Sequence, residues 1–150
     1  MNKKTAKNNR TKLPHELFEA CEEAESVADR VKLLQDHGTF GIKTLLQANY
    51  KEEVEFDLPS GTPPYRENAG VPGQQQRHFE KHVRQLRHLV KQSPLPAFKK
   101  ELTYIKLLEN LAAEDAKIVI AVKDKSLKSL YKTLTEATVR KAFPTLLGDK

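Results

Sequence analysis

Five side chains able to carry positive charge, Arg77, Lys81, Arg84, His88 and Lys91, recur at steps of four, three, four and three residues. On an α-helix that spacing puts them on one face, as a ridge about 20 Å long at roughly 1.5 Å per residue. Arg87 flanks the ridge. A row of cations binds phosphates along a nucleic-acid strand by releasing counterions, or an acidic protein groove by charge complementarity. It is also the ordinary solvated face of a surface helix. The same helix turns Phe79 to its opposite, apolar stripe, so the ridge has no aromatic of its own on which a base could stack, and this weakens specific nucleic-acid recognition.

Other chemistry is sparse. His78 and His82 stand four apart, a spacing that can hold a metal ion, but no third ligand falls at a known zinc-module spacing and Arg77 and Lys81 would repel a cation. Their expected role is to add charge to the ridge as pH falls through the histidine range. Cys21 is the single cysteine, placed on the apolar side of the first expected helix, and reads as an inert core residue. The serines at 26, 60, 93, 126 and 129 fall in caps, turns or charged helix surface, and there is no glycine-rich phosphate loop. Glu22-Glu23, Glu52-Glu53 and Glu114-Asp115 are sequence neighbours that point apart on a helix, so they do not make an acid/base pair. The expectation is a protein that is not an enzyme, with no cofactor, no metal and no small-molecule substrate.

Charge is laid out in blocks. Residues 1–12 hold five Lys or Arg and no acid, residues 13–58 four against eleven Asp or Glu, and residues 76–100 seven against one, within a net charge of +6. A polyanion would meet the tail or the 76–100 region and be repelled by the acidic block. A lone cysteine suits a reducing compartment. No apolar run approaches the roughly 18 residues of a membrane span, and the basic N-terminus lacks the apolar stretch of a signal peptide, so neither membrane partner nor secretion is expected.

Periodicity orders the rest. Residues 1–12 have too few apolar side chains to offset ordering entropy, so a mobile tail is expected. Pro14 opens a helix carrying Leu17, Phe18 and Cys21; Ser26 caps one with Val27, Val31 and Leu34, ended by Gly38; Thr39 caps a third with Ile42, Leu45 and Leu46. Val54, Phe56 and Leu58 alternate with acids and read as extended chain laid on the core. Residues 58–75 form a Pro/Gly-rich strap, anchored by Leu58 and Tyr65 and stiffened by Pro59, Pro63 and Pro64. One helix is expected over 74–92, with Phe79, Val83, Leu86 and Val90 inward. Phe98, Leu102, Ile105, Leu108 and Leu111 mark the next. Residues 118–122 fit a buried strand or a buried helix, and helix is preferred because only the short 54–58 segment could pair with a strand. Leu127, Leu130, Tyr131 and Leu134 suggest a short helix, and Thr135 caps a last one before Pro144.

The run Leu58-Pro-Ser-Gly-Thr-Pro-Pro-Tyr65, followed by Leu107-Leu-Glu-Asn-Leu-Ala-Ala-Glu-Asp-Ala-Lys117, Lys123-Asp-Lys125 and Ala142-Phe-Pro-Thr-Leu-Leu147, resembles a family of small proteins encoded by tailed phages, notably T-even-like myoviruses of marine bacteria. The resemblance spans roughly residues 20–147. It carries no activity and no residue role. It implies a setting: the cytoplasm of an infected host, with the virion as another place to find the protein.

The fold expected is all-α, a single compact domain over 13–147 of seven or eight helices, with the 58–75 strap joining its halves, a basic tail at 1–12 and a short tail at 148–150. The function expected first is a phage accessory protein that binds a protein partner, in host or phage transcription or replication machinery. It would bind through the ridge (Arg77, Lys81, Arg84, Arg87, His88, Lys91), through the strap (Leu58, Pro59, Pro63, Pro64, Tyr65), or through both. A weakly sequence-specific nucleic-acid binder and a minor virion component are the alternatives.

Overall fold

The computed structural model describes residues 12–67 and 75–148, and for residues 75–78 the backbone alone. The expected tail at 1–11, the second half of the strap at 68–74 and the end at 149–150 lie outside the described residues. Among those described are seven α-helices: α1 (Pro14–Glu23), α2 (Val27–His37), α3 (Phe40–Tyr50), α4 (Gln75–His82), α5 (Ala97–Glu109), α6 (Ala113–Lys123) and α7 (Glu136–Ala142). Val83–His88 and Leu127–Ser129 wind as tighter 3-10 turns. The all-α architecture is as the periodicity predicts.

The apolar run at 118–122 is helical because it is the centre of the fold. In α6, Ala116 and every residue from Ile118 to Val122 are buried, and the helix packs against α1, α3 and α5 together. A run buried at every position has no polar face to betray its period. Around it gather Leu17 and Phe18 of α1, Leu45 and Leu46 of α3, and Leu107 and Leu108 of α5. Each such side chain contributes about 1.5–3 kcal/mol by leaving water. On the far side α2 packs between α1 and α7, and Phe18 meets Tyr131 edge-on, with ring centroids 5.4 Å apart.

Helix ends follow local chemistry. Ser26 accepts the Asp29 amide at 3.1 Å, Thr39 that of Ile42 at 3.3 Å and Thr135 that of Thr138 at 3.2 Å, caps worth about 1 kcal/mol each. Pro14 stands at the first position of α1 and Gly38 ends α2. A Cβ on Gly38 would lie 2.6 Å from both the Leu34 carbonyl oxygen and Cζ of Phe143, so glycine lets the Phe143 ring reach this turn.

Five expectations need correction. The helix expected over 74–92 is not continuous: α4 stops at His82 and the chain tightens to a 3-10 turn from Val83 to His88. The reason is packing. With three residues per turn, Val83, Leu86 and Leu89 all reach the core. Val90, expected inward, is released to bridge Phe56 in antiparallel fashion. The backbone bonds flanking that bridge run from Asp57 N–H to Leu89 O at 2.8 Å and from Lys91 N–H to Glu55 O at 2.9 Å. The face of α5 is rotated from the expected one: Phe98 and Leu102 are 63% and 55% exposed, while Lys100, Tyr104, Leu107 and Leu108 are buried. Val27 and Leu130 are also exposed, and residues 127–134 hold only a three-residue turn.

Candidate functional site

The two regions singled out by sequence, the strap and the ridge, are built in opposite ways. The strap is tied down by lysines. Lys123, at the end of α6 with its side chain 2% exposed, donates to Pro59 O at 2.7 Å and Gly61 O at 2.9 Å and pairs with Asp124 at 2.8 Å. Gly61 N–H closes the loop on the other Asp124 oxygen at 3.1 Å. Upstream, Lys100 is buried in α5 and donates to Asp57 and to Val90 O, both at 2.9 Å. Lys125, in the left-handed region at φ 57°, caps the end of α3 through Ala48 O at 2.8 Å and Lys51 O at 3.0 Å. Its pKa is lowered, chiefly by burial. A buried ammonium is tolerated only when its donors are satisfied; here main-chain carbonyls do so, which fixes the extended chain.

Leu58 and Tyr65 pack on the core as anchors, and Pro59 and Pro64 face solvent. Between Pro59–Pro64 and α5 runs a groove of about 320 Å³, walled by Glu101, Tyr104 and Ile105. The Tyr104 hydroxyl is sealed from solvent and bonded to nothing, and burial pushes its pKa up.

On the ridge, the side chain of Arg77 lies outside the described ones, whereas Lys81, Arg84, Arg87, His88 and Lys91 are all exposed. The 3-10 winding re-registers them. Residues three apart eclipse on such a turn, so Arg84 and Arg87 stand in line beyond Lys81, while His88 turns aside. Lys91 falls past the turn and faces Glu55 at 3.9 Å, with both side chains 60% exposed, a contact of little energetic weight. Arg87 Nε donates to His88 Nε2 at 3.3 Å. Among the described residues, Lys81, Arg84 and Arg87 pair with no carboxylate. The single acid of residues 76–100, Glu80, is aimed elsewhere: it accepts Thr39 Oγ1 at 2.6 Å and the Gly41 amide at 3.0 Å, at the start of α3. Opposite charge at a helix N-terminus is favourable, and Gly41 permits the approach, since a Cβ there would sit 2.5 Å from the Phe79 ring.

With this geometry fixed, residues 17–129 match the model of a family of unknown function, DUF6433. The chain belongs to the DUF6433 family. No curated protein and no solved structure matches it. Membership therefore carries no residue role into this DUF6433 chain, and its site is argued from the geometry alone.

The groups able to do covalent chemistry are occupied by structure. Cys21 is buried and its thiol is pushed up to about 12, chiefly by burial. His15 donates its backbone amide, and Nδ1 bonds, to the same Asp115 oxygen at 2.9 Å, joining the starts of α1 and α6. The other Asp115 oxygen is buried with no partner. Glu22 receives the amide and hydroxyl of Thr133. No group of three metal-capable side chains lies among the described residues, and no helix there is long and apolar enough to cross a membrane.

Sequence reasoning missed two features. Lys100 and Lys123 hold the extended chain at Asp57, Pro59 and Gly61, and Lys125 caps α3, roles that no local sequence pattern marks. Phe40, 57% exposed, lies beneath Arg84, with the guanidinium carbon 5.0 Å from the ring centroid. The ridge thus has an aromatic neighbour, supplied by α3 rather than by its own helix.

Proposed function

We propose that the protein is a non-enzymatic accessory factor that docks an anionic macromolecular surface through Lys81, Arg84 and Arg87. The observation that carries this is the contrast in charge use: these cations stand in water without a carboxylate among the described residues, whereas Lys100 and Lys123 are consumed by the fold. What supports the non-enzymatic half is the structural employment of Cys21, His15, Asp115 and Glu22.

The setting proposed is phage infection, on the resemblance of the Leu58–Tyr65, Leu107–Lys117 and Ala142–Leu147 runs to tailed-phage proteins. There the partner is a subunit of host or phage transcription or replication machinery, and the place is the infected cell's cytoplasm. Affinity capture from infected cells after nuclease treatment tests it: a defined polymerase or replisome subunit is recovered with the wild-type chain and lost with K81E/R84E/R87E. Loss of every partner on nuclease digestion contradicts a protein partner. Recovery of the chain from purified virions by mass spectrometry would instead favour a virion component.

A further inference from the structure

At the start of α3 the surface alternates cation and aromatic. Phe40 is the first residue of that helix, 57% exposed, with Arg84 over its ring at 5.0 Å. One turn on, Lys43 Nζ stands 5.3 Å from the centroid of Phe143. The Phe143 ring lies against Gly38, in the turn that leads into Phe40, so the two cation–ring pairs belong to one continuous surface. Glu80, next to Lys81 in sequence, is held by Thr39 and Gly41. Lys12 adds a further cation at the same edge. His37, just before Gly38, has its pKa lowered by burial and then by the charge of Lys12. Residues 1–12 carry five cations and no acid.

We propose that this surface binds single-stranded nucleic acid, a base stacking on Phe40 while Arg84, Lys43 and Lys81 take the phosphates. The inference rests on the reading of Lys81, Arg84 and Arg87 as an anion-docking face and assigns that face an open strand as a ligand beside the protein partner. Nucleic acid uses the cations and the exposed ring together, because every base has a flat face and every link a phosphate. A duplex hides its base faces, so the ring selects for an open strand. Sequence tolerance follows, since stacking reads no base edge.

Fluorescence anisotropy of the full chain with labelled oligothymidylate, oligouridylate and a mixed-sequence duplex of equal length tests this, with polyglutamate as competitor across a salt series. The open strands are expected to bind more tightly than the duplex, with affinity falling steeply as salt rises. F40A is expected to weaken strand binding about tenfold or more, F40W to retain it, and R84E to weaken it and flatten the salt dependence. Binding of F40A equal to wild type, or equal affinity for duplex and open strand, overturns the stacking site. If no oligonucleotide binds while polyglutamate or the captured protein partner does, the nucleic-acid inference falls and the anion-docking reading stands. If nothing anionic binds, both fall.

Discussion

Lys123 and Arg84 lie in the same small domain, carry the same charge and have opposite fates. Lys123 is buried against the strap, its ammonium taken up by Pro59 O, Gly61 O and Asp124. Arg84 stands in water over Phe40. The difference teaches that net charge is a poor guide to what a surface offers. Of the seven cations in residues 76–100, Lys100 is internal, and the single acid is turned into the start of α3. Setting both aside leaves the segment's net charge at +6, with its single carboxylate turned away from the ridge.

The largest loss of stability is expected on the strap side. Replacing Lys100 or Lys123 by methionine leaves main-chain carbonyls and a carboxylate without their donor, at a cost of about 3 kcal/mol each. Urea denaturation should record that loss, with Lys123→Met also releasing the strap to proteolysis near Gly61. Beneath the ridge, Gly41→Ala pushes a methyl into Phe79 and Glu80, with an expected loss of about 1–3 kcal/mol by the same measurement.

A smaller, pH-dependent effect belongs to His15, whose pKa is raised, first by its hydrogen bond to Asp115 and against the pull of burial. A histidine with a raised folded pKa adds stability that is fully present below its unfolded value of about 6.5, and that is lost as pH climbs through the folded value. The stability difference between wild type and His15→Gln should therefore be larger at pH 5.5 than at pH 8.5. A difference independent of pH would show that the contact is not an ion pair. The smallest effect on stability is expected on the ridge: K81A/R84A/R87A should stay within about 0.5 kcal/mol per site of wild type.

What was legible in the sequence was local. The caps at Ser26, Thr39 and Thr135 and the stop at Gly38 depend on neighbours three or four residues away, and they stand where the pattern puts them. The helix at 118–122 was legible only through the lack of a strand partner. The winding of 83–88 was not, because it is set by packing of that turn on α3 and α5, which brings Leu89 into the core. For the same reason Phe98 and Leu102 read as core and are exposed, while Lys100 reads as surface and is buried. The ridge residues recur at helical spacing in the sequence, but their order in space, and the ring of Phe40 beside them, come from tertiary packing.

The most direct test of the central claim compares two matched charge reversals in capture from nuclease-treated infected cells: K81E/R84E/R87E against K99E/K128E/K132E, which removes the same charge from exposed positions elsewhere. The account predicts that both variants fold, that the second retains the partner and that the first loses it. Retention of the partner by the ridge variant, or equal loss by the two, would contradict a docking role for this face.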